Sequence, residues 1–325
     1  MDARIGWLAV GCAGALAAAV LAATPADAAV ARCDGQEATI VGTPGADRLR
    51  GTAGDDVIVA GAGRDVVAGN AGADVVCGGL GPDLVTDGGG ADFVDLGAGA
   101  DTAQPAEGGR DVFRGGPGRD GLDYQLVGLR GPGVNVDLGA GTALGAVGTD
   151  SLAGFDDVAG SYGRDVLRGT PGADTLSGNS GHDAISGRGG DDRIEADLSP
   201  DTVNAGDGDD IIVVPGNGIT QGPDTYAGGR GRDLLTFARA YSGPGLVVDL
   251  GAGTVRGLGR DIVTGVEDVV GTNLRGDTLI GDTGDNRLWG LGGGDTIDGA
   301  GGIDLAQGGD GDDTCAAETA IDCES

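Results

Sequence analysis

Apolar side chains return at a fixed interval along most of this chain. From residue 51 to 95 it reads GTAGDDVIV, AGAGRDVVA, GNAGADVVC, GGLGPDLVT, DGGGADFVD, with Gly fourth, Asp sixth and a branched aliphatic residue eighth. Each nonapeptide divides into a glycine-rich loop (positions 1–6) and a three-residue strand (positions 7–9) whose eighth side chain points inward. Twenty-two frames keep this pattern, starting at 42, 51, 60, 69, 78, 87, 96, 106, 115, 160, 169, 178, 187, 196, 205, 219, 228, 272, 281, 290, 299 and 308. Position 8 is apolar in all of them, position 4 is Gly except at Ser199 and Arg275, and position 6 is Asp except at Asn286. A disordered Gly/Asp linker would not hold three positions in phase. No amphipathic helical spacing of any length follows residue 28. The pattern predicts an all-β repeat array.

The loops carry the chemistry. Gly tolerates positive φ, so a tight backbone can aim several carbonyl oxygens at one point. The position-6 carboxylate adds a hard anionic oxygen there. Carbonyls with carboxylates suit Ca²⁺, which takes 6–8 oxygens in a flexible shell. The candidate ligands are Asp47, Asp56, Asp65, Asp74, Asp83, Asp92, Asp101, Asp111, Asp120, Asp165, Asp174, Asp183, Asp192, Asp210, Asp224, Asp233, Asp277, Asp295, Asp304 and Asp313. Asp201 is set apart because Ser199 and Pro200 replace the loop backbone that would aim the carbonyls, so its site is expected to be weak or empty.

The frames resemble the hemolysin-type calcium-binding repeats of the RTX family, GGxGxDxUx. The resemblance implies a parallel β-roll, a β-solenoid in which two nonapeptides make one coil and calcium sits between loops stacked on the same side. Stacked coils place carboxylates roughly 4.8 Å apart, where like charges repel by about 1 kcal/mol in water and more near protein. Calcium turns that repulsion into coordination, so folding and binding are expected to be one equilibrium.

Two segments interrupt the phase, 124–159 and 237–271, and they are copies. Gly131-Pro132-Gly133-Val134-Asn135-Val136-Asp137-Leu138-Gly139-Ala140-Gly141-Thr142 matches Gly243-Pro244-Gly245-Leu246-Val247-Val248-Asp249-Leu250-Gly251-Ala252-Gly253-Thr254, and Phe155-Asp156-Asp157-Val158 matches Val266-Glu267-Asp268-Val269. Both read as metal-free spacers of the same solenoid. The expected organisation is an export signal (1–28), an N-terminal cap (29–41), repeat blocks 42–123, 160–236 and 272–316 separated by the spacers, and a C-terminal cap (317–325).

Residues 1–28 hold Arg4, an apolar run over 5–23 and the small-x-small site Ala26-Asp27-Ala28, the pattern of a cleaved export signal. The expected location is therefore secreted or extracellular, with no membrane insertion after signal removal. Beyond it lie Cys33, Cys77, Cys315 and Cys323, two pairs near the two ends of the array. An even count in an exported chain favours disulfides, and bridges Cys33–Cys77 and Cys315–Cys323 would close the open solenoid ends. The spacings match no zinc pattern. The net charge of −31, without any lysine, argues against nucleic-acid partners and anionic membrane surfaces.

Neither HExxH nor GxSxG occurs, so the chain is expected not to be an enzyme; His182, the single histidine, occupies the free fifth position of a loop. The leading expectation is a calcium-stabilised structural or adhesion protein, with cell-wall or matrix glycans as candidate partners. A polysaccharide-active site on a solenoid face is the alternative, for which the spacers offer Tyr124, Arg130, Arg239 and Tyr241. A third reading is an ice- or mineral-binding threonine row formed by Thr175, Thr202, Thr225, Thr278 and Thr296 at position 7.

Overall fold

Consecutive nonapeptides alternate between two parallel sheets, because each loop turns the chain from one sheet to the other. The computed structural model describes residues 30–323 apart from 128–131, 146–147, 198, 216–221, 240–244 and 258; the expected export signal lies outside the described residues. Strands Val57–Ala62 and Val75–Leu80 fall in one sheet, Val66–Ala71 and Leu84–Gly89 in the other. Each strand pairs with the one two repeats on, as Val57 with Val75 and Val66 with Leu84. Among the described residues there is no helix. The protein is an all-β parallel solenoid.

Alternation within each strand builds the core. Ile58, Val67, Val76, Val85, Val94, Leu167, Leu176, Ile185, Ile194, Leu279, Leu288 and Ile297, all at position 8, join one buried cluster. Position 1 of the next frame lies two residues on and faces the same way, so Ala60 and Leu96 are buried as well. Glycine at the loop positions answers a second constraint. A Cβ at Gly81 would overlap the carbonyl oxygen of Gly63 one coil below, and one at Gly90 that of Gly72. Coils stack loop on loop too closely for side chains.

The spacers stay in these sheets but reverse direction inside one of them. Val134–Asp137, Thr142–Gly145 and Gly148–Ala153 form an antiparallel meander. Its last strand pairs in parallel with Val112–Arg114 below, and its first with Val166–Arg168 above. The second copy repeats this with Val247–Asp249, Thr254–Arg256 and Arg260–Thr264. The shared Asp-Leu-Gly-Ala-Gly-Thr makes the reversal: Ala140 N–H donates to Asp137 Oδ1 (2.8 Å) and Ala252 N–H to Asp249 Oδ1 (2.7 Å). Gly141 and Gly253 follow at φ +68°. On the opposite sheet no strand is inserted, and Gly121–Asp123 pairs directly with Asp157–Ala159. One sheet thus has eighteen described strands, from Ile40–Val41 to Thr314–Ala316, and the other fourteen, from Arg48–Arg50 to Thr319–Ile321.

Both expected disulfides form, Cys33–Cys77 and Cys315–Cys323. Cys33 belongs to a separate hairpin, Arg32–Cys33 with Gln36–Glu37, turned by Asp34 and Gly35 at φ +45° and +77°. An Asp-Gly pair with both φ positive is the preferred two-residue hairpin turn.

Candidate metal centre

The position-6 aspartates form two columns, one at each side of the solenoid, and each residue is stapled to the coil above. From Asp47 to Asp101 each backbone N–H donates to Oδ1 of the aspartate one coil on, over 2.7–2.9 Å. The aspartate carbonyl accepts in turn from the position-7 N–H of that coil, as Asp56 from Val75 (2.8 Å). These bonds fix one oxygen of each carboxylate and aim the other into the loop.

What meets that second oxygen depends on position 2. Where it is Thr or Ser, the loop closes on itself: Thr43, Thr52, Ser161 and Thr170 donate their N–H to Oδ2 of Asp47, Asp56, Asp165 and Asp174 over 2.5–2.8 Å. Thr272, at position 1 of its frame, does the same for Asp277 (2.6 Å), and Asp282, at position 2, for Oδ1 of Asn286 (2.8 Å). The Thr and Ser hydroxyls add a further bond to the same carboxylates.

In most other loops position 2 is left-handed: Gly61, Asn70, Gly79, Gly88, Gly97, Gly116, Asn179, Arg188, Gly206, Gly229, Leu291 and Gly309 all have φ between +62° and +127°. That turns its N–H away. Oδ2 of Asp65, Asp74, Asp83, Asp92, Asp101, Asp120, Asp183, Asp192, Asp210, Asp233, Asp295 and Asp313 is then buried without any hydrogen-bond partner. Asp111, in a loop with one extra residue, shares this state. Of the remaining candidates, Asp224 and Asp304 hold the ladder through Oδ1, accepting from Asp201 and Asn286. Asp201 has its Oδ2 bound by the Asp197 N–H (3.1 Å).

Burying a carboxylate oxygen without a donor is expensive, and the acidities record it. Burial, reinforced by neighbouring carboxylates, pushes Asp74, Asp83, Asp120 and Asp295 up to about 6 and Asp183, Asp192 and Asp233 to about 7. The self-closed loops differ. The Thr52 N–H holds Asp56 below the usual carboxylate range. In Asp165, Asp174 and Asp277 burial still prevails, against the pull of the loop donors.

Several members of the columns lie outside the 22 nonapeptide frames. Asp150 and Asp261 accept the N–H of Asp111 (3.1 Å) and Asp224 (3.0 Å), and Glu267 accepts that of Asp233 (2.9 Å). Glu318 closes the C-terminal end by accepting from Asp304 (2.9 Å). The signal for the spacer members was present: Gly148-Thr149-Asp150-Ser151-Leu152 and Gly259-Arg260-Asp261-Ile262-Val263 keep Gly, Asp and the apolar residue at the repeat spacing. The acid ladder therefore runs on into both spacers.

Other sequence candidates separate. Tyr124 is fully buried and faces no solvent groove, Arg239 pairs with Glu195 (3.0 Å), and Arg130 and Tyr241 lie outside the described residues. The threonine row does not exist as one row. Thr175 pairs with Asp157 and Arg193 in the fourteen-strand sheet, while Thr202 and Thr225 neighbour each other in the eighteen-strand sheet and Thr278 and Thr296 do so beyond the second spacer. His182 is exposed, as its free loop position predicts.

Donor-free carboxylate oxygens lined up beside stacked backbone carbonyls are the oxygen-only ligand set of a hard cation such as Ca²⁺. The family model of the RTX calcium-binding nonapeptide repeat (4 copies) matches residues 41–76, 69–103, 150–185, 159–194, 186–214 and 272–306, together half of the chain. No curated protein matches it. Geometry and family model agree on the loops: this chain belongs to the RTX calcium-binding nonapeptide repeat family.

Proposed function

We propose that this is a secreted calcium-binding β-roll whose coils fold on Ca²⁺ and which serves a structural, surface or adhesion role outside the cell. The observation that carries the reading is the set of fifteen aspartate Oδ2 atoms that, among the described residues, are buried without a hydrogen-bond partner. In the chain without calcium these carboxylates would face one another across the coils and oppose folding. With calcium, each lost hydration shell is replaced by the ion, and binding free energy becomes folding free energy. On this reading the ligands are the aspartates of the left-handed loops, and the self-closed loops at Asp47, Asp56, Asp165, Asp174 and Asp277 stand without an ion of their own.

The same reading divides the chain into export signal, caps, three repeat blocks and two spacers at the boundaries given above, and it assigns no catalytic role. Its partner, beyond calcium, is a cell-wall or matrix glycan. The face offered is a shallow groove of about 420 Å³ lined among others by Arg119, Gln125, Asp157 and Thr175. The test of the main proposal is circular dichroism of the full chain. Millimolar Ca²⁺ should produce β structure that a chelator removes, while Mg²⁺, which demands a smaller octahedral shell, should not. A spectrum indifferent to chelator would overturn it.

A further inference from the structure

Asp87 stands where the other frames have glycine, alanine, leucine, isoleucine or, once, threonine, and it is the one acid at that position. It opens the frame DGGGADFVD, at the inward-facing first position. Its side chain is fully buried. Oδ1 accepts from the N–H of Gly88 (2.7 Å) and of Ala106 (2.8 Å), and Oδ2 has no partner. One carboxylate oxygen each of Asp87, Asp92 and Asp111 lies within 4.8 Å of the other two, the one such trio among the described residues. Three carboxylate oxygens this close to one another can all reach a single calcium ion, whose oxygen ligands stand at 2.3–2.6 Å.

A second buried group without a partner stands above Asp87 in the same sheet column. Tyr124 is fully buried on the strand end two coils above Asp87, and its hydroxyl has no hydrogen-bond partner. The charges that bear on this hydroxyl are those of Asp150 and Asp87. Asp150, the next acid of the column after Asp111, also has an unpartnered Oδ2. The charges that bear on Asp87 are those of Asp111 and Asp92, carboxylates again. An acid group this dry, with its Oδ2 atoms buried and unpartnered, is incomplete. The corresponding corner before the second spacer lacks the device, with Ala196 opening its frame and Phe237 following its last strand, both buried.

We propose that Asp87, Asp92 and Asp111, backed by Asp150 and the Tyr124 hydroxyl, form an interior calcium site that the regular repeat does not possess and that is the tightest in the chain. It rests on the reading of the loops as calcium sites and adds to it a third carboxylate, which raises affinity through ligand charge. The experiment uses the full chain and terbium, a luminescent ion of calcium size, excited through tyrosine, together with a count of bound Ca²⁺ by equilibrium dialysis. The first equivalent of terbium should emit brightly in the wild type and stay dark in Tyr124→Phe. Asp87→Asn should weaken the tightest site at least tenfold and lower the calcium count by one, with an unchanged circular dichroism spectrum at saturating calcium. Asp87→Gly, which restores the repeat, should do the same and decides the matter should the Asn variant not fold. Wild-type count and affinity in the folded variants would show that Asp87 holds only a proton, and the site would be withdrawn. A wild type that binds no calcium would instead remove the reading of the loops themselves.

Discussion

Thr52 and Asn70 occupy the same place in successive loops of one side of the solenoid, and they divide the repeat into two kinds. Thr52 donates its N–H and its hydroxyl to Oδ2 of Asp56. Asn70, at φ +80°, turns away from Asp74 and leaves the same oxygen bare. Apart from Asp201, whose Oδ2 is closed by the Asp197 N–H within the second block, the self-closed kind is not scattered. It opens every block, at frames 42 and 51, 160 and 169, and 272 and 281, and the left-handed kind predominates after it. An ion shared between coils needs a regular loop on both sides. The coil that opens a block has a cap or a spacer beneath it, so its carboxylates are closed by their own backbone. The contrast teaches that one aspartate column can hold chain-satisfied and ion-seeking members in covalently similar loops.

The largest expected effect sets one member of each kind against the other. Asp74→Ala should lower the number of bound calcium ions and raise the calcium midpoint of folding severalfold, because stacked coils pass the loss to their neighbours. Asp174→Ala should weaken the fold at every calcium concentration without changing the ion count. Equal counts in the two variants would break the distinction. Asp201→Ala belongs with the second kind, since its Oδ2 already has a donor.

Acidity sharpens the comparison next. Asp183, Asp192 and Asp233, lifted to about 7, and Asp201, lifted to about 8, have folded values above the unfolded one. Without calcium, such groups stabilise the fold fully below the unfolded value, near 3.9, and that contribution is lost as pH rises through 7 to 8. The calcium-free chain should therefore gain β structure on acidification to about pH 4, and calcium affinity should fall as pH drops through 7. Asp56, lowered by Thr52, has the opposite sign: its contribution is present above the unfolded value and lost below it. A calcium midpoint constant from pH 8 to pH 5.5 would refute this assignment.

Smaller effects come from position 2 itself. Leu291 holds φ +76° without the freedom of glycine. Leu291→Gly should relieve about 1 kcal/mol of left-handed strain and appear as a higher melting temperature in saturating calcium. The smallest change is Thr170→Val, which removes a hydroxyl bond to Asp174 but keeps the N–H donor. A loss of about 1 kcal/mol, the same at low and high calcium, is expected. A calcium-dependent loss would mean that this loop also holds an ion.

The repeat period, the sheet class, the inward faces and the column of position-6 acids follow from the sequence alone. Gly, Asp and an apolar residue in phase leave few other ways to bury one side chain per nine residues. The cysteine pairs were also readable, because two of them sit at each end of an array whose edges need closing. Other features depended on contacts across eighteen or more residues. Whether Oδ2 of an aspartate is satisfied turns on the sign of φ at position 2, which Asn70, Arg188 and Leu291 adopt only because the coil beneath and above them imposes it. The spacers' antiparallel reversal, and with it the entry of Asp150 and Asp261 into the acid columns, is set by which strands the meander pairs with below and above. Tyr124, which reads in sequence as a surface residue of a spacer, turns inward because its place follows the alternation of the strand before it. Local sequence chose the unit; stacking decided which of its oxygens remained without a partner.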